Sequence, residues 1–344
     1  MSLETTFTRA WQRRGPLACA LYPLALLFRA LAALRRWLYR TGILRSNRLP
    51  VPVVVVGNIF IGGTGKTPLT IWLVQQLRAA GLTPGVVSRG FGATDGAPRP
   101  VTAMSTPAQV GDEPVLIATR AGCPVVVGRD RAAAGRALLA AHPEVDVILT
   151  DDGLQHYALQ RDVEIVLFDG RGTGNGWTLP AGPLREGPGR RRDVTVVNTP
   201  ELTDALRRKV GNGGPVFQMT LAGDVAERLA DRRERVTLAE LAARPVKVAA
   251  VAGIGNPARF FGMLANAGLR CTELALPDHH DFLDNPLRAL DADVILMTEK
   301  DAVKCVQIEE LKDDPRLWVV PVTARIDAAL AEHIVEKCRG RTFA

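Results

Sequence analysis

The sequence predicts an α/β fold: a P-loop NTPase-like parallel sheet flanked by helices, a second, smaller α/β domain, and an N-terminal amphipathic membrane helix. Three observations carry this. From residue 51 onward, short runs rich in Val and Ile alternate with helical stretches, as strands buried on both faces of a parallel sheet do. The first of those runs leads into a glycine-rich word, Gly62-Gly63-Thr64-Gly65-Lys66-Thr67. An uncharged stretch set among arginines precedes both.

The N-terminal stretch comes first. Leu17 to Phe28 is a twelve-residue run without charge, too short for a bilayer span of about 20 residues. Beyond Pro23, Leu27, Leu31, Leu34 and Leu38 recur on one helical face and Arg29, Arg36 and Arg40 on another, with Trp37 and Tyr39 near the end. This pattern suits a helix lying in a membrane interface. Two other readings fit the same residues. One is a helix packed on the protein's own core; the other is a secretory leader cleaved near Ala30-Leu31-Ala32, which the arginines downstream oppose. The whole chain carries +7, yet residues 1–50 hold nine Arg against the single acid Glu4, a net of +8, which leaves the remainder at −1. Charge gathered beside an apolar run points to an anionic membrane surface, not to a nucleic acid. Aromatics at 5% also leave few platforms for stacking bases.

The body follows. Strands are expected at Val51–Val56, Pro84–Ser88, Pro124–Val127, Val145–Thr150, Val163–Asp169 and Val194–Asn198, with helices at Thr67–Ala80, Val115–Arg120 and Ala132–Ala141. Residues 170–192 form a Gly/Pro/Arg-rich loop of a length that is usually either functional or disordered. From 216 the pattern turns irregular and charged, then alternation resumes with strands at Val246–Ala252, Cys271–Ala275, Val294–Thr298 and Leu317–Val322 around helices at Pro257–Ala267 and from Asp301. The expected organisation is a membrane-interface region at 1–48, a P-loop domain at 49–215, a linker at 216–240, a smaller α/β domain at 241–325 and a C-terminal helix at 326–344 that fits either domain. Five scattered cysteines without a CxxC pair make neither a disulfide framework nor a zinc site, and fit a reducing cytoplasm.

The chemistry starts at the glycine-rich word. Gly62, Gly63, Thr64 and Gly65 let backbone N–H groups curl round phosphates at a helix N-terminus. Lys66 is placed to reach the β- and γ-phosphates of ATP and the Thr67 hydroxyl to bind Mg²⁺. Phe60 stands where the common motif has its first glycine, and Ile61 where the partitioning-ATPase variant has Lys. About 85 residues on, the run Val145–Thr150 ends in Asp151-Asp152, the position of a carboxylate that holds Mg²⁺ beside a P-loop, and Asp152 is the better candidate of the two.

Further words stand in order along the chain: Val56-Gly57-Asn58, Ser88-Arg89-Gly90-Phe91-Gly92, Gly111-Asp112-Glu113-Pro114, Asp151-Asp152-Gly153-Leu154-Gln155-His156, Leu179 to Glu186, Asp278-His279-His280 and Thr298 to Lys304. With the P-loop they closely resemble the tetraacyldisaccharide 4′-kinases, from the N-terminal helix to about residue 325. The resemblance implies ATP-dependent phosphorylation of the 4′-hydroxyl of an acylated disaccharide 1-phosphate, a lipid A precursor, at the cytoplasmic face of the bacterial inner membrane. It implies Asp112 as catalytic base with His279 assisting, and Lys66 on the nucleotide. It implies Glu113 and Asp152 on the Mg²⁺ side, Thr67 on the nucleotide, and Arg185 and Glu186 in a loop near the active site; Asp151 and Thr67 are further metal candidates, and Asn58, Arg89, Arg185 and Glu186 the substrate-binding candidates. No obligate protein partner is evident. The departures are Phe91, where the family often has Tyr, and Gly187, where Pro is usual.

Blander readings stand beside these. Asp112 before Glu113-Pro114 also reads as a helix cap. His279 and His280 also read as loop histidines, with no zinc-like spacing around them. Arg190-Arg191-Arg192 is a solvated basic turn or a seat for an anionic head group. Thr298-Glu299-Lys300-Asp301 puts Lys directly before Asp, the wrong spacing for reading guanine. The rival functions are a partner-regulated switch ATPase of the partitioning or metal-insertion class and a membrane-surface scaffold with a degenerate site.

Overall fold

The computed structural model describes residues 11–90, 97–211 and 214–340. In chain order, the strands are β1 (Val53–Gly57), β2 (Pro84–Ser88), β3 (Arg99–Pro100), β4 (Val125–Val127), β5 (Val147–Asp151), β6 (Val163–Asp169), β7 (Val194–Asn198) and β8 (Val216–Ala222). Then come β9 (Val225–Arg228), β10 (Arg235–Thr237), β11 (Val248–Ala252), β12 (Cys271–Ala275), β13 (Val294–Thr298), β14 (Leu317–Val320) and β15 (Thr323–Ile326). The helices that matter below are α1 (Pro16–Arg40), α2 (Lys66–Ala79), α3 (Asp112–Ala121), α4 (Arg131–Ala141), α5 (Pro257–Asn266), α6 (Glu299–Cys305) and α7 (Ala329–Arg339).

The larger sheet runs β15-β8-β7-β6-β1-β5-β2-β4-β3 and the smaller β10-β9-β14-β13-β11-β12. Pairing is parallel through the middle of each sheet and antiparallel at β15–β8, β3–β4, β9–β14 and β10–β9. The central strands are apolar on both faces because helices cover both. Val54 and Val56 join Leu69, Leu73 and Leu77 of α2 in one core cluster, while Val53 and Val55 join Leu138 of α4 and Phe168 in the other. Each such buried Leu or Phe is worth about 1.5–3 kcal/mol over the exposed chain. The smaller sheet repeats the plan, with Phe260 and Leu264 of α5 on one face and Ala302 and Cys305 of α6 on the other.

The expected linker at 216–240 is corrected here. It holds β8, β9, β10 and a short helix, Leu238–Ala242. The chain leaves the larger sheet after β8, enters the smaller one at β9, and returns from β14 into β15. The two crossings lie side by side, so closely that a Cβ on Gly223 would stand 2.9 Å from the Pro321 carbonyl oxygen. The smaller lobe is thus inserted before the last strand of the larger one. The C-terminal helix, left open between the two domains, packs on the larger: Leu330, Ile334 and Val335 of α7 sit in the α2 core.

α1 also differs from expectation. It runs unbroken through Pro23 for 25 residues, so that by length and composition alone it is long and apolar enough to cross a membrane. It does not pack on the core: Ala18 and Ala25 are its buried residues, and Leu24, Leu27, Leu31 and Leu34 are all more than half exposed. Its attachments go to Tyr157, whose ring lies 6.0 Å from that of Tyr39, and to the 170–192 loop, where Arg14 just before the helix helps. Tyr22 lies 4.4 Å from the Trp177 ring, Arg14 sits over that ring at 5.1 Å, and the Thr178 hydroxyl donates to the Ala25 carbonyl at 3.1 Å.

Candidate active site

The phosphate-binding loop is built between β1 and α2. Gly62 and Gly65 take positive φ values of 98° and 100°, open to glycine at no steric cost, and Gly65 is the N-cap of α2. Two asparagines pin the loop. Asn58 Nδ2 donates to the Gly62 carbonyl at 3.1 Å and to Thr64 Oγ1 at 3.0 Å, and Asn198 Nδ2, at the end of β7, donates to the Thr64 carbonyl at 2.9 Å. Asn58 was expected toward the substrate. It is fully buried beneath the loop, and its Oδ1 lies 3.4 Å from Lys66 Nζ, so it shapes the cradle instead.

Lys66 Nζ also lies 3.7 Å from Asp152 Oδ1. Asp152 sits at φ 51° just past β5, and Arg185 Nη1 donates to it at 3.1 Å. Burial would raise its carboxyl, but Lys66 and Arg185 hold it below the usual range. Arg185 arrives there because backbone bonds fasten its loop to the segment between β1 and the P-loop glycines: Arg185 N–H donates to the Ile59 carbonyl at 2.7 Å and Ile61 N–H to the Pro183 carbonyl at 2.9 Å. Asp151 is 1% exposed, and both its carboxylate oxygens lack a hydrogen-bond partner among the described residues. Burial, then the neighbouring Glu113, push its carboxyl up to about 7. A buried carboxylate with both oxygens orphaned, beside Glu113 and Asp152 in a cleft that Thr67 also lines, fits a hard divalent cation.

The base expected at Asp112 lies in the first turn of α3, which starts three residues before the expected helix because Gly111, at φ 91°, ends the preceding turn. Gly111, not Asp112, is the N-cap; the Asp112 carboxylate instead accepts from Glu113 N–H at 2.9 Å through Oδ1 and meets His279 Nδ1 at 2.9 Å through Oδ2. His279 belongs to the smaller lobe and holds φ 62°. Burial works against the Asp112 charge, yet the His279 hydrogen bond and the ammonium groups of Lys300 and Lys304 keep its carboxyl below the usual range. The bond to Asp112 raises His279 above its ordinary value, against burial and Lys300. Lys300 Nζ reaches Asp278 at 3.1 Å, Glu113 at 3.3 Å and His279 Nε2 at 3.4 Å.

The P-loop, Asp112, Glu113, Asp151, Asp152, Arg185, Asp278, His279 and Lys300 line one interlobe cleft of about 1160 Å³, bordered also by Arg89, Asp169, Arg171 and Arg259. Arg171 and Arg259, one from each lobe, converge on the buried Asp169 at 2.7 and 3.3 Å. The lobes meet closely at the P-loop, where a Cβ on Gly255 would stand 2.7 Å from the Gly63 nitrogen. Two further expectations are corrected. Glu186 does not face the cleft: it is 7% exposed, and its oxygens accept from Arg190, Gln155 and Tyr157 at 2.6–2.9 Å. Arg190 is accordingly no solvated turn residue but a buried cation shared between Glu186 and Glu164. Phe91, the departure in the Ser88–Gly92 word, lies outside the described residues. Sequence reasoning missed Asn198, Asp301 and Lys304. The one available signal was the Thr298–Lys304 word, which carries the family resemblance but assigns no role to Asp301 or Lys304.

The family model for tetraacyldisaccharide-1-P 4′-kinase, LpxK, matches residues 17–339. The chain belongs to this family. As a member of the 4′-kinase family it is an ATP-dependent kinase of lipid A biosynthesis, and the switch-ATPase and scaffold alternatives fall away. It is 61% identical to the tetraacyldisaccharide 4′-kinase of Janthinobacterium sp. (strain Marseille), over 100% of this chain and 98% of that one. It is 58% identical to that of Herminiimonas arsenicoxydans, with the same shares covered. The solved structure of LpxK from Aquifex aeolicus in complex with ATP superposes with a TM-score of 0.75 at 28% identity, covering 93% of this chain and 99% of that one. The fold expected from the sequence, a large parallel sheet flanked by helices behind an apolar N-terminal helix, is the fold observed.

Proposed function

We propose that this chain transfers the γ-phosphoryl group of Mg-ATP to the 4′-hydroxyl of a tetraacyldisaccharide 1-phosphate, with Asp112 and His279 as the acid–base pair, at the cytoplasmic face of the inner membrane. The observation that carries the residue-level reading is the 2.9 Å contact between Asp112 and His279, which joins the two lobes beside the P-loop. A sugar hydroxyl at pH 7 needs a base as it attacks phosphorus. Asp112 is held ionised and is oriented by His279. The hydroxyl O–H bond breaks, its proton passes to the Asp112–His279 pair, the new O–P bond forms, and the bond to the β-phosphate oxygen breaks with its electrons leaving on ADP.

The loop amides of Gly62, Gly63, Thr64 and Gly65 face the phosphates, and Lys66 balances the charge that develops on the transferred group. Thr67, Glu113, Asp151 and Asp152 are the residues that would hold Mg²⁺, which supplies charge neutralisation and phosphate orientation when bound. Arg185 and Arg89 border the cleft and would meet the lipid's sugar or phosphate groups. Because the base lies on one lobe and its partner on the other, the pair assembles when the smaller lobe closes on the larger.

The membrane reading rests on α1. Its exposed leucines give an apolar face, and the arginines around them suit an anionic lipid surface. Its contacts with Trp177 and Thr178 tie it to the loop that carries Arg185. In detergent micelles with Mg-ATP and tetraacyldisaccharide 1-phosphate, Asp112→Ala should lower kcat by about 10²–10⁴-fold while the Kd for ATP stays within about twofold. Equal loss of turnover and of ATP binding would remove Asp112 from the role of base.

A further inference from the structure

The smaller lobe brings to the site a closed ring of polar contacts that the nucleotide motifs do not include. Asp301, in the first turn of α6, has no exposed surface. Its Oδ2 accepts from the Gly253 N–H at 2.9 Å and from the Thr298 hydroxyl at 2.7 Å, and its Oδ1 accepts from Lys304 Nζ at 3.1 Å. The Gly253 carbonyl in turn accepts from the His279 N–H at 3.2 Å. Lys304 is 9% exposed; its ammonium lies 4.0 Å from Asp112 Oδ2 and 5.2 Å from the centre of the buried Phe282 ring. Asp112 Oδ2 meets His279 Nδ1 and closes the ring.

We propose that Lys304, held by Asp301, is a positioning residue for phosphoryl transfer: it fixes the Asp112 carboxylate against His279 when the lobes are together. The inference rests on the reading of Asp112 as the base. Two buried carboxylates flank one buried ammonium, and a buried charge is tolerated only where partners surround it. Asp301 ties that ammonium to the backbone that also carries His279, so one side chain sets the cation's place relative to both members of the pair. Lys300 also stands 4.0 Å from Asp112 Oδ2, but it lines the cleft and is shared with Glu113 and Asp278. Lys304 does not line the cleft, so its influence on the reaction runs through Asp112.

The test uses the full chain in detergent micelles with Mg-ATP and tetraacyldisaccharide 1-phosphate, and Asp112→Ala is measured alongside. Lys304→Met alone leaves Asp301 buried without its counter-charge and risks misfolding. It is therefore combined with Asp301→Asn, whose amide oxygen still accepts from Gly253 and Thr298. A second variant, Lys304→Gln, keeps a neutral donor toward Asp301. Displacing a reacting group by about 1 Å costs on the order of a hundredfold in rate. Both variants should therefore lose about tenfold or more in kcat, with KM for ATP within about twofold and the thermal transition of the double variant close to wild type. Lys304→Arg should keep more of kcat than Lys304→Gln. If Asp112→Ala is inactive and either variant keeps kcat within about fivefold of wild type, or shows its loss in KM for ATP, the positioning role is overturned and the base stands. If Asp112→Ala turns over like wild type, base and positioning role fall together.

Discussion

At the scale of single residues, the site concentrates charge where water cannot reach it. Asp151 is the sharpest case, with two orphaned carboxylate oxygens and a carboxyl pushed up to about 7 by burial and by Glu113. Replacing it with Asn removes a charge that the metal-free protein holds at a cost. Asp151→Asn should therefore melt at a higher temperature than wild type in EDTA and lose the rise in melting temperature that Mg²⁺ gives wild type; differential scanning fluorimetry with and without Mg²⁺ checks both. His156, outside the cleft, is held neutral instead. Its Nε2 accepts from the Arg131 N–H at 3.3 Å, which requires a neutral ring, and burial with the Arg131 charge lowers its pKa to about 4. The folded state thus binds fewer protons than the unfolded one between about 4 and 6.5, so this contribution to stability is complete above pH 6.5 and lost as pH falls toward 4. Melting curves across that window should show His156→Gln falling less steeply than wild type. The places of Lys66, Thr67 and the Asp151-Asp152 pair beside the cleft were legible because contiguous words carry their chemistry, while Asp112 entered through the resemblance. Asn198, Asp301 and Lys304 were not, since each acquires meaning only from a residue more than forty positions away. Asn58 and Glu186 were found but misplaced: a polar side chain inside a motif serves the loop's own hydrogen bonds as readily as a substrate's.

At the scale of elements, strand and helix positions in the two sheets were readable wherever helices bury both faces and force unbroken apolar runs. The crossing segment escaped because β8 lies toward a sheet edge and is only half buried along most of its length, so its sequence shows neither an apolar run nor clean alternation. α1 was recognised, but its apolar run was measured only from Leu17 to Phe28 and so judged too short for a span. Pro23 leaves a carbonyl one turn earlier without its usual donor, and on a helix this exposed water can serve that group. Leu27 and Leu31 are 58% and 57% exposed and touch no core cluster. The double change Leu27→Glu and Leu31→Glu should leave the melting temperature unchanged and weaken sedimentation with anionic vesicles by about tenfold or more. Unchanged vesicle binding would detach α1 from the membrane role.

At the scale of the molecule, the two lobes share a double crossing, and the larger lobe is finished by residues that follow the smaller one. Ile334 of α7 is fully buried against α2, the helix that carries the P-loop lysine. Ile334→Ala should cost about 2–5 kcal/mol of stability, measured by urea denaturation, although the residue lies far along the chain from every nucleotide contact. This placement has a consequence for how the protein is made. A chain emerging from the ribosome presents the glycine-rich loop early, but β15 and α7 arrive only after the whole smaller lobe has been synthesised. Until translation nears its end, the ATP lobe has an open sheet edge beside β8 and an uncovered patch on α2. The nascent kinase therefore completes its ATP lobe only near release.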